Sequence, residues 1–287
     1  MSDFAPKHIL CPVDFSEQSA SALRVAGVIA KDFGSEVVVL HVQRLEAPVY
    51  FTVAQTQTLQ GQLRRSVRAA KKHANEFANK HLPEGVAYRV IVMKDDPVSA
   101  ILKTQHEIAA ELIAMGTHGR GGLARVRLGS IAESVLHQAE VPILTVGPRM
   151  KVTPTLDAIH RVLCPVNYTP SSQTALEHAA ALAASARAEL TVAHIDEAPH
   201  GKSAQDSLRQ LCDWIPATVR AHCAVKEVVK QGGAAEQILA EAEKSQADLL
   251  VIGAQPRSLL GADLLGSTTE LVIRNAPCPV LSVMGKE

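Results

Sequence analysis

The sequence predicts an α/β protein with two similar doubly wound domains, each holding a five-stranded parallel sheet, arranged as a pseudo-dimer within one chain. Two observations predict this architecture: an internal repeat, and a regular alternation of strand and helix patterns inside each copy. The chain of 287 residues is long enough for two domains of ordinary size. Such Rossmann-like sheets bind ligands in a crevice at the carboxyl ends of their strands.

The repeat relates the first half of the chain to the second. Residues 10–14 (LCPVD) return as LCPVN at residues 163–167, an offset of 153. Further along the offset becomes 137, so that Gly116 corresponds to Gly253, and the second copy lacks 16 residues. The expected domains are residues 1–147 and 160–287.

Within the first copy, strand and helix patterns alternate. Apolar runs typical of buried strands lie at residues 8–13, 36–42, 87–93, 111–115 and 141–146. Apolar residues at helical spacing predict helices after residue 16, over about 56–81, after residue 97 and over 130–139. We interpret Asp95-Asp96 before Pro97 as a helix N-cap, with an acid pair for Mg²⁺ as the alternative.

Composition excludes several classes of protein. Lys+Arg and Asp+Glu each number 29, so the chain lacks the basic excess of a nucleic-acid-binding protein. No stretch reaches the roughly 18 apolar residues of a membrane helix. The amino terminus shows no apolar signal region, which favours the cytoplasm. The five cysteines form no C-x-x-C pair, which favours reduced thiols.

The most informative segment is the glycine-rich loop at residues 116–130. It follows a predicted strand and ends at a predicted helix N-terminus, where free backbone N–H groups favour an anion. It also carries three arginines, Arg120, Arg125 and Arg127, and no acid. These features predict a phosphate cradle; a solvated surface turn is the alternative. A larger side chain at Gly129 is expected to block the approach of backbone to ligand.

The loop has the pattern G-x-x-G-x9-G-S, with Gly116, Gly119, Gly129 and Ser130 in the fixed places. It resembles the nucleotide-binding signature of the universal stress protein family. The segments LCPVDFS at 10–16, LHV at 40–42 and PILTV at 142–146 also resemble motifs of that family. Because the resemblance covers both copies, the chain is identified as a tandem two-domain member.

The resemblance implies that the first copy binds ATP, with or without Mg²⁺. Asp14 would face the adenine or ribose, and Pro12 and Val42 would line the base pocket. The loop and the following helix would hold the ribose and phosphates. The nucleotide-binding residues implied in this way are Pro12, Asp14, Val42, Met115, Gly116, His118, Gly119, Gly129, Ser130, Ile131 and Ala132.

The second copy departs from the pattern at three positions that weaken a triphosphate site. Pro256 replaces the second glycine and removes an N–H donor, Asp263 adds a negative charge, and Asn167 replaces Asp14. The alternative for the second copy is a weak anion site. Its residues would be Gly253, Gly266, Ser267 and Thr268.

Other signals are weak or have a structural explanation. A G-x-G-x-x-A match beginning at Gly119 follows the fourth strand, where a dinucleotide fingerprint would follow the first. The sequence lacks the P-loop, G-x-S-x-G and H-E-x-x-H motifs, so no catalytic residue or metal ligand is assigned. His41 and His194 end equivalent strands, which favours a hydrogen-bonded structural role over pH sensing or metal binding. The basic residues of the long helix are interpreted as a solvated face, with an acidic partner as the alternative.

Three functions follow as hypotheses. The first is a nucleotide-binding protein with a regulatory or stress-resistance role. The stress-resistance role is implied by the family resemblance alone. The second is a slow ATPase, for which His118 is the sole candidate base in the loop. The third is an interaction or scaffold protein without nucleotide. The adenine nucleotide is the expected partner; a protein partner and a homodimer stay open. We also expect the last strands of the two copies to pair with each other.

Overall fold

The computed structural model describes residues 4–44, 53–119, 128–150, 157–197, 203–254, 256–257 and 264–285. The loop arginines of the first copy and Asp263 of the second lie outside these residues. The fold is the predicted one: two α/β repeats, each contributing five parallel strands.

The first copy contains five strands and four helices in alternation. In chain order they are β1 His8–Pro12, α1 Glu17–Phe33, β2 Glu36–Gln43, α2 Val53–His81, β3 Tyr88–Lys94, α3 Pro97–Glu107, β4 Leu112–Gly116, α4 Ser130–Gln138 and β5 Ile143–Val146.

The second copy has the same order, with two changes. Two short helices replace the single long helix of the first copy, and a two-stranded ribbon lies between its fourth main strand and last helix. The elements are β6 Arg161–Val166, α5 Pro170–Ala186, β7 Glu189–Asp196, α6 Ala204–Trp214, α7 Ala217–His222, β8 Val225–Gln231, α8 Ala234–Lys244, β9 Leu249–Ala254, β10 Pro256–Arg257, β11 Leu264–Leu265, α9 Ser267–Asn275 and β12 Val280–Met284.

The ten main strands form one continuous sheet. Their order is β3-β2-β1-β4-β5-β12-β9-β6-β7-β8, so each copy contributes one half. All neighbours within a copy are parallel, and the two halves join where β5 and β12 pair antiparallel, with Leu144 opposite Leu281. The expectation that the last strands pair is confirmed. The order reverses between β1 and β4, which places a crevice at their carboxyl ends.

The sheet is covered on both faces, as its apolar strands require. Alternate residues of β1 enter opposite cores: Ile9 and Cys11 pack with α1 and α2, and Leu10 packs with α3 and α4. The core is aliphatic, as the low aromatic content predicts. Within the described ranges, no helix has the length and apolar character needed to cross a membrane.

Local sequence explains where the first helix begins and ends. Ser16 caps α1 by accepting a hydrogen bond from the Ser19 N–H at 3.2 Å. Gly34 ends it with φ +70°, a conformation that glycine adopts without strain. These two residues fix the position of α1, whose first turn packs against the end of β4.

Candidate functional site

A cavity of about 620 Å³ lies at the carboxyl ends of β1, β2 and β4, where the strand order reverses. All eleven residues that the sequence analysis assigns to the nucleotide site line it. They are Pro12, Asp14, Val42, Met115, Gly116, His118, Gly119, Gly129, Ser130, Ile131 and Ala132.

One wall of the cavity is the N-terminus of α4. Gly129 is the N-cap residue, and no side chain caps this helix. Within the described chain, the N–H groups of Ser130, Ile131 and Ala132 donate no hydrogen bond. Three free donors therefore lie at the end of the helix that borders the cavity. An uncapped helix N-terminus with free donors is suited to an anion such as phosphate.

Thr117 fixes this helix against the sheet. Its buried side chain and its N–H both donate to the carbonyl of Val146, at 3.3 and 2.9 Å, and its own carbonyl accepts from the Gly129 N–H at 2.8 Å. The Thr117 hydroxyl also lies 2.9 Å from His118 Nδ1. Thr117 was not predicted from the sequence, although the equivalent position of the second copy holds an alanine, Ala254.

Asp14 lies on the opposite side of the cavity, just after β1. Its Oδ1 accepts hydrogen bonds from the Ser16 N–H at 3.0 Å and the Ser16 hydroxyl at 2.5 Å. Its Oδ2 faces Gly119, where a Cβ atom would lie 2.6 Å from that oxygen. Gly119 therefore lets the loop pass over the Asp14 carboxylate without displacing it.

Two other glycines allow close packing inside the protein. A Cβ at Gly116 would lie 2.8 Å from Cβ and 3.1 Å from the carbonyl carbon of Gln18, in the first turn of α1. A Cβ at Gly129 would lie 2.9 Å from the Thr117 carbonyl oxygen. The expectation that a larger residue at Gly129 acts by blocking the ligand is thus incomplete, because the new side chain would first collide with the backbone of the loop.

Several lining residues were not anticipated. Leu40, Pro97 and Ile101 extend the apolar wall beside Val42. Arg44, just after β2, is exposed and places a positive charge at the rim. Its counterpart in the second copy is the acid Glu197, so the sequence itself shows a reversal of charge between the copies at this position.

The equivalent cavity of the second copy is much smaller, about 130 Å³. Of the four residues predicted there, Gly253 and Thr268 line it, and Gly266 and Ser267 do not. Glu197, the counterpart of Arg44, reaches the start of α8, where its Oε1 accepts from the Ala234 N–H at 3.2 Å. This carboxylate occupies one end of the cavity and opposes an anionic ligand.

Three interpretations of polar residues near the strand ends are confirmed. His41 Nδ1 donates to the Val13 carbonyl at 2.9 Å, and His194 Nδ1 donates to the Val166 carbonyl at 3.0 Å, so both histidines join adjacent strands. Asp96 caps α3 by accepting from the N–H groups of residues 98 and 99, each at 3.1 Å.

The cysteines offer no nucleophile to the site. All five thiols are free, and complete burial raises the pKa of Cys11 and Cys164 far above the ordinary thiol value. Both therefore stay protonated. Across the described ranges, no group of three or more His, Cys, Asp or Glu residues lies close enough to hold a metal ion.

The model of the universal stress protein family matches the chain twice, at residues 6–147 and 158–283. The chain belongs to the universal stress protein family. Because the two matches follow one another along the chain, it is a tandem two-domain member, as the sequence resemblance indicated.

Some relatives of this universal stress protein match about half of the chain, and others match nearly all of it. It is 32% identical over 145 residues to a universal stress protein of Methanocaldococcus jannaschii, covering 49% of this chain and 81% of the relative. A universal stress protein of Mycolicibacterium smegmatis is 25% identical over 296 residues, covering 96% of each chain. The crystal structure of a universal stress protein from Archaeoglobus fulgidus shares the fold, with a TM-score of 0.73, 24% identity and coverage of 98% and 99%.

Proposed function

We propose that this universal stress protein binds one adenine nucleotide, ATP, in the cavity of its first copy, and that this binding underlies a regulatory or stress-resistance role. The observation that carries the proposal is the uncapped N-terminus of α4. It presents three unused N–H donors to a cavity at the point where doubly wound sheets bind ligands.

The size and the polarity of the cavity support a nucleotide. Its volume of about 620 Å³ falls within the range of roughly 300–1,000 Å³ typical of small-molecule sites. The apolar residues Leu40, Val42 and Ile101 suit a base, and the Asp14 carboxylate suits the hydroxyl groups of a ribose. Ser130 and the α4 N–H groups suit the phosphates. Arg44 adds a charge of the right sign, and the three loop arginines of the sequence lie outside the described residues.

The asymmetry of the two copies supports one site per chain. The second cavity is about 130 Å³, and the Glu197 carboxylate stands where the first copy has Arg44. Asn167 replaces the acid that would bind the ribose. The Thr169 hydroxyl donates to the Asn167 Oδ1 at 2.6 Å. A nucleotide would therefore lack both space and matching charge in the second copy.

The test is a nucleotide assay of the purified protein followed by calorimetric titration with ATP, with and without Mg²⁺. We expect about one site per chain and loss of binding in Asp14→Asn, which installs the residue of the second copy. The matched control is Asn167→Asp, which should leave the stoichiometry unchanged. Two equivalent sites would refute the asymmetry. Absence of nucleotide and of binding would favour a scaffold role, and steady phosphate release would favour a slow ATPase.

A further inference from the structure

We propose that the groove between α1 and α2 is a second ligand site, and that its ligand is a small aromatic anion. The groove encloses about 660 Å³, a volume similar to that of the nucleotide cavity, and it shares no lining residue with it. The two sites are adjacent, because Ser16 of the groove hydrogen-bonds Asp14 of the nucleotide cavity, but they open on different sides of the segment that joins β1 to α1.

Aromatic rings form the middle of the groove. The ring of Phe15 packs edge-on against Phe77, with centroids 5.3 Å apart, and lies 4.3 Å from the His73 ring. Phe77 in turn lies 4.6 Å from His81. The backbone of Phe15 has φ +64°, a conformation that bulky residues rarely adopt. In a chain with only 3% aromatic residues, this concentration of rings favours a planar apolar ligand.

One end of the groove carries two basic side chains, those of Arg24 and Lys80. Arg24 is half-buried, and its guanidinium donates to Ser21 Oγ at 3.4 Å and to His81 Nδ1 at 3.0 Å, neither of which carries negative charge. Burial, Arg24 and Lys80 lower the pKa of His81, so this ring is neutral near pH 7 and accepts from Arg24. Among the described residues, Arg24 and Lys80 make no ion pair, which leaves the guanidinium suited to a carboxylate or sulfonate.

The groove also holds two acids, Glu17 and Glu76, and the second lies one helical turn from Lys80. Glu17 is two helical turns from Arg24 along α1, roughly 10 Å. Glu76 forms an exposed ion pair with Lys72 at 3.9 Å, which offsets part of its charge. Helix α2 as a whole has one acid against six Lys and Arg residues, so its field attracts anions.

The second copy shows that this groove is not a necessary consequence of the fold. There the ring of Trp214 packs edge-on against Tyr168, the counterpart of Phe15, at 5.5 Å. A cavity of about 30 Å³ lies between α5 and α7, shifted one turn along α5, and Glu177 stands where the first copy has Arg24. The positive charge is therefore specific to the first copy, and the Trp214 ring occupies the position beside Tyr168 in the second.

The test is titration of the full-length protein with naphthalene-2-carboxylate and its neutral amide, followed by the NMR ring signals of His73 and His81. We expect saturable shifts of both rings with the carboxylate, and binding of the amide weaker by about tenfold or more. Arg24→Gln should weaken carboxylate binding by a similar factor. Arg64→Gln removes the same charge from an exposed site on α2 and should change binding by less than about twofold.

Phe77→Leu tests the contribution of the aromatic ring separately from that of the Arg24 charge. It also keeps the proposal testable if Arg24→Gln fails to fold. It should weaken the carboxylate and the amide equally, while the circular dichroism spectrum stays unchanged. The proposal is overturned if millimolar carboxylate leaves both histidine signals unmoved. It is also overturned if Arg24→Gln and Arg64→Gln bind alike, or if the shifts map to the nucleotide cavity.

Discussion

At the scale of single residues, the glycines around the first cavity are required for different physical reasons. A side chain at Gly116 or Gly129 would meet backbone atoms of Gln18 or Thr117, which cannot move without shifting α1 or the loop. A side chain at Gly119 would meet only the Asp14 carboxylate, the end of a side chain that can rotate. Substitution at Gly119 therefore tests the site, and substitution at the other two tests the fold.

Gly119→Ala should reduce ATP affinity by about tenfold while changing the free energy of unfolding by less than about 0.5 kcal/mol. The reason is that the new methyl group displaces Asp14 Oδ2 from its present position 2.6 Å from the added carbon. Calorimetry with ATP and urea denaturation measure the two effects. Gly61→Ala is the control, since no atom lies within 4 Å of a Cβ there. Equal ATP affinities in the two variants would contradict a role for Asp14.

The sequence could identify the site residues that belong to the loop motif. It could not identify those whose role comes from tertiary packing. The glycines, Ser130 and Asp14 stand in a recognisable pattern, and all of them line the cavity. Thr117 and Arg44 were not predicted, because their roles depend on residues that are far from them in the sequence. Thr117 binds the carbonyl of Val146, 29 residues away, and Arg44 reaches the rim only because β2 ends beside β1.

At the scale of elements, the helix N-termini at the carboxyl edge of the sheet differ in how their N–H groups are satisfied. The Asp96 side chain, which directly precedes α3, accepts a hydrogen bond from an N–H group of that helix. The Glu197 side chain, just after β7, accepts one from the first N–H group of α8. The N-terminus of α4 has neither, which leaves its donors for a ligand. The N-terminus of α9 in the second copy is uncapped as well, so a free helix end marks the candidate binding end only together with the larger cavity of the first copy.

Asp96→Ala should lower the free energy of unfolding by about 1 kcal/mol, because two N–H groups of α3 lose their acceptor. ATP affinity and its dependence on Mg²⁺ should stay unchanged, since the carboxylate is a cap. Urea denaturation and calorimetry measure both quantities. Asp96→Ser, which retains a capping oxygen, should recover most of the stability. A loss of Mg²⁺ dependence in Asp96→Ala would instead support the acid-pair interpretation.

The elements themselves were largely predictable, and the errors fall at their ends. The strand predicted at residues 141–146 begins only at Ile143, since Pro142 contributes a carbonyl to the Ile113 N–H but cannot donate. The 16 residues that the second copy lacks fall between β7 and β8, but periodicity alone did not show that α6 and α7 would replace α2. That outcome depends on Trp214 and Leu211 filling space beside α5.

At the scale of the whole molecule, the two copies are joined about a pseudo-two-fold axis. Leu144 pairs with Leu281, its own counterpart, and Thr145 pairs with Val280, the counterpart of Ile143. The Thr145 hydroxyl donates to the Val280 carbonyl at 3.2 Å. Away from the sheet, Ser185 Oγ donates to the Asp32 carbonyl at 2.9 Å, and the ring of Phe4 lies 4.4 Å from that of His178.

This symmetry predicts how a fragment of residues 1–150 behaves. Removal of the second copy exposes β5 as an apolar edge strand, which invites pairing with another chain. Two fragments can reproduce the native junction, because Leu144 would face Leu144 of the other chain and Thr145 would face Ile143 in place of Val280. We expect a dimer that dissociates on dilution, measured by light scattering, with circular dichroism reporting the fold.

Masses above that of a dimer would indicate non-specific association. A well-folded fragment that stays monomeric at high concentration would show that the β5–β12 junction needs contacts found only in the second copy, such as the hydrogen bond from Ser185 to the Asp32 carbonyl.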